Sequence, residues 1–205
     1  MKTRRLPRMR RGRNVTWMFS AKNDKSVFTD SFLEQSYAYL LELSTEVKHY
    51  ATQPESMKIK FDGRTLSYTP DFLVEDHDGY SYYVEVHHSN FIDQAFLSKM
   101  EAVREFISLN TPSNFIIITE HELPVEVALN LKLISNDRNA KALPSLEVNA
   151  LPVELTFGEL YTILAPLSSD PRGAIYELLA RKAYLFEASQ VPKQKMSHLV
   201  DNLGG

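Results

Sequence analysis

Two short β-strand patterns around an Asp-Gly turn constrain the fold of this chain more than any other segment. Residues 72–75 and 80–87 are rich in β-branched and aromatic residues, and Asp78-Gly79 lies between them. Asp-Gly pairs favour the tight turns of β-hairpins. We therefore predict two antiparallel strands here.

Helical and strand patterns flank this hairpin. Apolar residues recur at helical spacing over residues 29–43 and 92–109, and Ser31 followed by Glu34 fits a capping box at the start of the first helix. Further strands are predicted at 15–19, 47–53, 57–61, 65–69 and 115–119, with a second Asp-Gly turn between 57–61 and 65–69. The last of them, an apolar run, is typical of a buried central strand. This order predicts a mixed α/β unit ending near residue 134.

The sequence changes character after this unit. Five of the ten prolines lie beyond residue 135, where residues 156–164 and 171–183 have helical patterns and 184–189 resemble a strand. Two short helices followed by a strand are compatible with a winged-helix-like module. We therefore predict an N-terminal arm at 1–14, a main α/β domain at 15–136 and a small, mainly helical C-terminal domain at 137–205.

The formal charge of −3 is unevenly distributed. Seven basic residues and no acid occur in the first thirteen positions, which leaves 16 basic and 26 acidic residues in the remainder. A basic arm on an acidic body suggests contact with a polyanion, most simply nucleic-acid phosphate. The alternative is a solvated tail without a partner. The candidate phosphate-binding side chains are Arg4, Arg5, Arg8, Arg10, Arg11 and Arg13.

Several function classes are excluded by what the sequence lacks. No apolar stretch approaches the roughly 18 residues of a membrane-spanning helix. The absence of cysteine removes disulfides, thiol catalysis and cysteine-ligated zinc, and it fits a cytoplasmic protein. Phosphate-loop, zincin and serine-hydrolase motifs are also missing. Trp17 is predicted to anchor packing, and the scattered histidines are predicted to be surface residues: His49, His77, His121 and His198.

Two carboxylates occupy related positions in the predicted hairpin. Asp71 opens its first strand, and Glu85 lies on the returning strand, where alternation puts Glu85 and His87 on the face opposite Val84 and Val86. This arrangement can bring both carboxylates together beside the Val86 carbonyl. Such oxygen ligands suit hard divalent cations such as Mg²⁺ or Mn²⁺, which nucleases use to activate water and hold phosphate oxygens. The alternative is a pair of solvated acids.

These residues belong to a longer ordered series of motifs. Pro70-Asp71 followed by Glu85-Val86-His87 corresponds to the PD-(D/E)xK nuclease pattern. The series resembles the TnsA family, the endonuclease subunits of heteromeric cut-and-paste transposases, over residues 15–134. Its other parts are Phe19-Ser20-Ala21-Lys22-Asn23, Ser31-Phe32-Leu33-Glu34, Leu40-Leu41-Glu42-Leu43, Tyr50 with Gln53-Pro54, Tyr68-Thr69, Phe72-Leu73-Val74, Ile118-Thr119-Glu120 and Asn130-Leu131-Lys132-Leu133.

The resemblance implies a restriction-endonuclease-like core, a mixed sheet flanked by helices, and assigns roles to individual residues. It makes Glu34, Asp71 and Glu85 the catalytic acids, with Asp71, Glu85 and the Val86 carbonyl as the metal ligands. For Glu34 the alternative is a capping residue that serves only its helix. Gln53 is either a polar residue at a strand end or part of the site.

His87 stands where the family pattern has lysine. A lysine there would be a fixed positive charge near the scissile phosphate, whereas an unperturbed imidazole is mostly neutral at pH 7. His87 is therefore a candidate electrostatic helper, general base or metal ligand. Alternatively, Lys22 or Lys99 supplies the charge, or the site cuts poorly. His88, on the opposite face, is predicted to be structural.

The function implied by the resemblance is a Mg²⁺-dependent DNA endonuclease of the bacterial cytoplasm. It would cut the non-transferred strands at the 5′ ends of a transposon. An integrase-type, TnsB-like transposase would cut and join the 3′ ends of the same double-stranded DNA, and an AAA+, TnsC-like regulator would contact the C-terminal part. Two alternatives are a stand-alone restriction or defence nuclease and a catalytically weak DNA-binding assembly subunit.

Overall fold

A computed structural model describes residues 15–145, 151–181 and 195–197, the last three by their backbone only. The chain divides into two units, Met1–Leu123 and Pro124–Gly205. The first unit contains β1 (Thr16–Ser20), β2 (Lys25–Thr29), α1 (Phe32–Leu43), β3 (Val47–Thr52), β4 (Met57–Phe61), β5 (Arg64–Tyr68), β6 (Phe72–Asp76), β7 (Ser81–Val86), α2 (Gln94–Asn110) and β8 (Asn114–Ile118). The second contains α3 (Val125–Asp137), β9 (Glu154–Thr156), α4 (Phe157–Leu164), α5 (Pro171–Ala180) and β10 (Lys195–Ser197).

The main sheet of the first unit has the strand order β3-β6-β7-β8. β6 and β7 form the predicted antiparallel hairpin, in which Phe72 lies opposite Val84. β8 joins β7 in parallel, after the crossover through α2. The expectation that β8 is a buried central strand is wrong, because the crossover returns the chain to the outer side of β7. Phe115 is buried there, whereas the three isoleucines after it are only partly covered.

Helices cover both faces of this sheet. On one face Phe72 packs edge-on against Tyr37 of α1, with ring centroids 5.2 Å apart. Tyr83 opposes Leu73, the neighbour of Phe72, and therefore projects from the other face, where it packs on a core cluster built around α2. The buried members of that cluster are Ile59, Tyr68, Met100, Val103, Ile107 and Phe115. The predicted class, a mixed sheet flanked by helices, is confirmed.

Two further hairpins complete the unit. β4 and β5 pair around Asp62 and Gly63, whose φ angles of 50° and 68° are those that an Asp-Gly turn supplies. β1 pairs with β2, a strand that the sequence did not predict. Residue 29 ends β2 and Ser31 caps α1, so the predicted helix began too early. Trp17 was predicted to anchor packing, and this prediction is wrong. Its side chain is 56% exposed and makes a tilted ring contact with Phe28.

In the second unit α3 and α4 both pack against α5, and β9 pairs with β10. α3 was not predicted as a helix. It falls in the second unit, so the structure divides the chain after Leu123, thirteen residues before the predicted boundary at 136. The winged-helix-like assignment stays a prediction, and the arm at 1–14, the strand at 184–189 and His198 lie outside the described residues. None of the described helices is long and apolar enough to cross a membrane.

Candidate active site

A polar cavity of about 430 Å³ lies where β6 begins and β7 ends. It is lined by Asp30, Glu34, Gln53, Thr69, Asp71, Glu85, Val86 and His87. The hairpin contributes both of its carboxylates, and the start of α1 and the end of β3 contribute Glu34 and Gln53. All residues that were predicted from the sequence to be catalytic or metal-binding therefore line one cavity.

Asp71 is locked in position by main-chain hydrogen bonds on both sides. Its Oδ2 accepts the Val86 N–H at 2.8 Å, its own N–H donates to the Val84 carbonyl at 3.0 Å, and its carbonyl accepts the Gln53 N–H at 2.7 Å. Burial raises the Asp71 pKa well above its ordinary value, and the charges of Glu85 and Glu34 raise it further against the Val86 hydrogen bond. The carboxylate is thus rigidly held in an electrostatically unfavourable place.

Glu85 is held from the opposite side by a tyrosine. The Tyr68 hydroxyl donates to Glu85 Oε2 at 2.6 Å. Burial raises the pKa of Glu85, while the Tyr68 hydrogen bond and the positive charges of Lys99 and His87 act in the other direction. Burial, followed by the Glu85 charge, raises the pKa of Tyr68, so this phenol remains a donor. Tyr68 therefore contacts a carboxylate of the candidate site, although the sequence analysis placed it in a motif without predicting a role for it.

Glu34 serves its helix and the cavity together. Its N–H donates to the Ser31 hydroxyl at 3.1 Å, and its carboxylate accepts the Asp30 N–H at 2.9 Å. The carboxylate therefore reaches one residue beyond the cap, unlike a reciprocal capping box. Burial raises its pKa, the hydrogen bonds from Asp30 and Ser31 oppose that, and the negative charges of Asp30 and Glu85 reinforce it. The two interpretations of Glu34 are compatible.

Gln53 reaches the cavity through an unusual backbone conformation. Its φ angle is 41°, in the left-handed region that residues other than glycine seldom adopt. Such a conformation costs on the order of 1 kcal/mol and persists where its surroundings impose it. Here the 2.7 Å hydrogen bond from its N–H to Asp71 imposes it. Gln53 thus lines the cavity and fixes the backbone of Asp71.

His87 is oriented by the second helix. Its ring stacks on Phe96 of α2 with centroids 4.1 Å apart and planes 17° from parallel, and its N–H donates to the Ile118 carbonyl at 2.9 Å. The stacking partner was not predicted. The sequence did offer one indication: Phe96 and Lys99 are one turn apart on a predicted amphipathic helix, so both side chains lie on the same side of it.

The segment after His87 is braced as well. The Ser89 N–H and hydroxyl both donate to Glu120, which lowers the pKa of that exposed carboxyl to about 2. His88 caps the following short turn by accepting the Asn90 N–H, so its position agrees with the structural role predicted for it. These bonds hold the chain that follows β7.

Lys22 and Lys99 were the candidates to supply the positive charge that the family pattern places at position 87, and they lie in different places. Lys22 donates its amine to the carbonyls of Ser44 and Val47, at 2.6 and 2.5 Å, beyond the C-terminal end of α1. It does not line the cavity, which begins at the other end of that helix. The Lys99 amine lies 5.2 Å from the centre of the Tyr68 ring, and its charge reaches Glu85. The structure therefore associates only Lys99 with the site.

The donors at this site suit a divalent cation that needs few protein ligands. No three histidine, aspartate or glutamate side chains within the described ranges form a compact metal-ligand group. Asp71 and Glu85 supply two carboxylates, and the Val86 carbonyl faces the same strand edge as its N–H, which Asp71 accepts. Mg²⁺ is commonly held by one or two carboxylates and keeps several waters. Mutually repelling acids beside one carbonyl fit such an ion.

The comparisons with known proteins bear on the same segment. Residues 44–120 match the family model described as TnsA-like endonuclease N terminal. That stretch contains Asp71, Glu85 and His87, whereas Glu34 precedes it. The comparison with curated proteins found no match. Residues 44–120, which hold Asp71 and Glu85 where β6 begins and β7 ends, are therefore similar to a TnsA-like endonuclease N-terminal domain.

Proposed function

We propose that this chain is the metal-dependent DNA endonuclease subunit of a heteromeric transposase and cuts the non-transferred strands at the 5′ ends of the transposon. The observation that carries the proposal is the meeting of Glu34, Asp71 and Glu85 in one cavity of a TnsA-like endonuclease domain. Three carboxylates repel a DNA phosphate. Burial raises the pKa of each of them, and neighbouring carboxylates raise the pKa values of Asp71 and Glu34 further. A cation is therefore required before a phosphate can enter.

Asp71, Glu85 and the Val86 carbonyl would hold the ion, Mg²⁺ or Mn²⁺. When bound, such an ion supplies a water of lowered pKa and neutralises charge on phosphate oxygens. The protein's own contribution is preorganisation. Asp71 is fixed by main-chain bonds to Val86 and Gln53, and Glu85 by the Tyr68 hydroxyl, so neither carboxylate has to be ordered when substrate arrives.

Glu34, His87 and Lys99 contribute the remaining charges at the site. Glu34 is anchored by the Asp30 N–H at the cavity edge, where it can orient a water or a ligand of the ion. The His87 ring, held flat against Phe96, presents a fixed edge to the cavity and supplies a positive charge when protonated. Lys99 adds a second positive charge behind Glu85 and Tyr68.

The family supports a division of labour between subunits. A TnsB-like transposase of the integrase type would cut and join the 3′ ends, and a TnsC-like AAA+ regulator would contact the C-terminal part of this chain. All of them would work on double-stranded transposon ends in the bacterial cytoplasm. The arginines of the N-terminal arm would add phosphate contacts to the duplex.

Replacing Asp71 tests the proposal. In a reconstituted reaction with the partner subunits, Asp71→Ala should lower 5′-end cleavage by on the order of 10³-fold or more, since it removes a fixed metal ligand. The 3′ strand transfer should continue, and products should shift from simple insertions to co-integrates. Calorimetry should record loss of Mn²⁺ binding in the same variant.

Glu75→Ala is the matched control, because Glu75 lies on the same strand and, among the described residues, forms an ion pair only with exposed Lys48. Its cleavage should equal that of the wild type. Simple insertions at the wild-type rate with Asp71→Ala would overturn the catalytic assignment. Cutting of plasmid DNA by the purified chain alone would favour the stand-alone nuclease instead.

A further inference from the structure

The β4–β5 hairpin has two chemically different faces. Pairing places Ile59 opposite Leu66, and Met57 opposite Tyr68. These residues face α2, where Ile59 and Tyr68 are buried in the core cluster. The outer face is formed by the alternate residues, which are all exposed: Lys58, Lys60, Thr65 and Ser67.

Within the described ranges, the cations of this hairpin have no acidic partner. Lys58 and Lys60 on the outer face, and Arg64 at the tip, form no ion pair with any of the residues that the structure describes. Lys48 differs, since it binds Glu75 at 3.1 Å. Asp62, in the turn, is the one acid between Met57 and Tyr68. In a body where acids outnumber bases, a face with two hydroxyls and two lysines that pair with no acid in the described part of the chain is complementary to a polyanion.

The base of the hairpin is part of the cavity wall. β5 ends at Tyr68, whose hydroxyl donates to Glu85, and the next residue, Thr69, lines the cavity. The hydroxyls of Thr69 and Ser56 are hydrogen-bonded at 2.6 Å, which ties the two hairpin strands together at that end. A polyanion that lies on the outer face can therefore extend directly to the carboxylates in the cavity.

We propose that the outer face of the β4–β5 hairpin, formed by Lys58, Lys60, Thr65 and Ser67, is a docking surface for the phosphate backbone of the DNA duplex that enters the cavity. The inference rests on the proposed function. The two lysines are about 7 Å apart along the strand, and one DNA strand carries a phosphate per about 3.4 Å of axis, so each amine meets a different phosphate. The hydroxyls can donate to the same oxygens. These contacts position the duplex without reading its sequence.

Salt-dependent binding tests this surface. The full chain is titrated onto a fluorescent duplex of arbitrary sequence, in EDTA to prevent cutting, at several KCl concentrations. Lys58→Gln with Lys60→Gln should make the slope of log K against log salt shallower by about 1.8, which is the loss of two phosphate contacts. Lys58→Arg with Lys60→Arg should retain the wild-type slope. Lys48→Gln, which removes a paired lysine, should change it by less than half of one contact.

Three outcomes would overturn the inference: an unchanged slope in the double glutamine variant, an equal change per charge in Lys48→Gln, or no binding of duplex by the wild type. Cleavage with Mn²⁺ is assayed separately. If Asp71→Ala abolishes cutting while the hairpin variant keeps its slope, the hairpin inference fails and the proposed function stands. If the hairpin variant loses slope while Asp71→Ala still cuts, the docking surface stands and the catalytic assignment fails.

Discussion

Helix α1 carries two buried glutamates, Glu34 in its first turn and Glu42 in its last, and their surroundings are opposite in kind. Glu42 is 4% exposed and accepts hydrogen bonds from the Ser20 and Tyr50 hydroxyls and from the N–H groups of Ala21 and Lys22, at 2.7 to 3.2 Å. Glu34 is 7% exposed and is held by Asp30 and Ser31, with other carboxylates beside it.

The difference separates a structural carboxylate, Glu42, from one with the surroundings that the proposed function requires, Glu34. Four donors compensate Glu42 for its lost hydration and tie β1, α1 and β3 together. Glu34 faces Glu85 and Asp71 with fewer donors, and its pKa is raised. Burial alone therefore does not distinguish the two roles. What distinguishes them is whether the neighbours supply protons or negative charge.

Between the two glutamates of α1, the largest expected effect is on cleavage activity when Glu34 is replaced. Glu34→Gln should lower 5′-end cleavage by on the order of 10²–10³-fold, because a charge at the cavity is lost while the amide oxygen still accepts the Asp30 N–H. Single-turnover cleavage at saturating Mn²⁺ measures this. Glu42→Gln on the same helix is the matched control and should cut at the wild-type rate per folded molecule. Equal losses in both variants would remove the distinction between the two glutamates.

The next effect is on stability at Glu42. Glu42→Ala should lower the free energy of unfolding by about 3 kcal/mol, because it leaves buried donors without an acceptor. Glu42→Gln should cost less, since the Ser20 and Tyr50 hydroxyls can reverse and accept from its amide. Urea unfolding of both variants and of Glu34→Ala measures the difference. A Glu34→Ala variant as unstable as Glu42→Ala would contradict the comparison.

The smallest expected effect is on the pH dependence of stability. The pKa of Asp71 is raised on folding, so the native state binds this proton more tightly than the unfolded state does. Stability from this group is complete below the unfolded pKa and is lost as the pH rises through the folded pKa. Asp71→Asn, which cannot ionise, should therefore melt higher than the wild type at pH 8 in EDTA. The gap should close as the pH is lowered toward 4.

The Asn oxygen can still accept the Val86 N–H, so the hydrogen bond itself is preserved. Glu75→Gln, which changes a half-buried carboxylate on the same strand, provides the reference for removing one negative charge. A gap that widens in acid would mean that folding stabilises the ionised form of the Asp71 carboxylate. In that case the cluster of repelling acids would not describe the site.

Local patterns were sufficient for the elements that hold the two central carboxylates. Alternation along residues 81–86 and the Asp-Gly turn predicted the β6–β7 hairpin, and the structure has Phe72 opposite Val84 with Asp71 bonded to Val86. A strand's side-chain period does not depend on what covers it, so which residues shared a face with Glu85 followed from spacing. The capping sequence at Ser31 likewise located Glu34 at a helix start.

Contacts between segments distant in the chain were not predictable in this way. The hydrogen bond from Tyr68 to Glu85, the stacking of His87 on Phe96 and the use of Lys22 to bind carbonyls each depend on how separate elements pack. The edge position of β8 and the separate β4–β5 hairpin depend on the crossover and on α2. The spacing of apolar residues within one segment does not predict these contacts, because they depend on the free energy of the whole folded unit.

The sequence by itself determined the chemistry available to this protein: three acids in a recognisable order, a histidine in place of a lysine, and a basic arm on an acidic body. Only the tertiary structure decided which groups share an environment. It separated Glu34 from Glu42, joined Lys99 to the site and turned the lysines of the β4–β5 hairpin outward. The physical reason is that charge and hydrogen bonding act over a few ångströms in space, whereas the chain brings together residues dozens of positions apart.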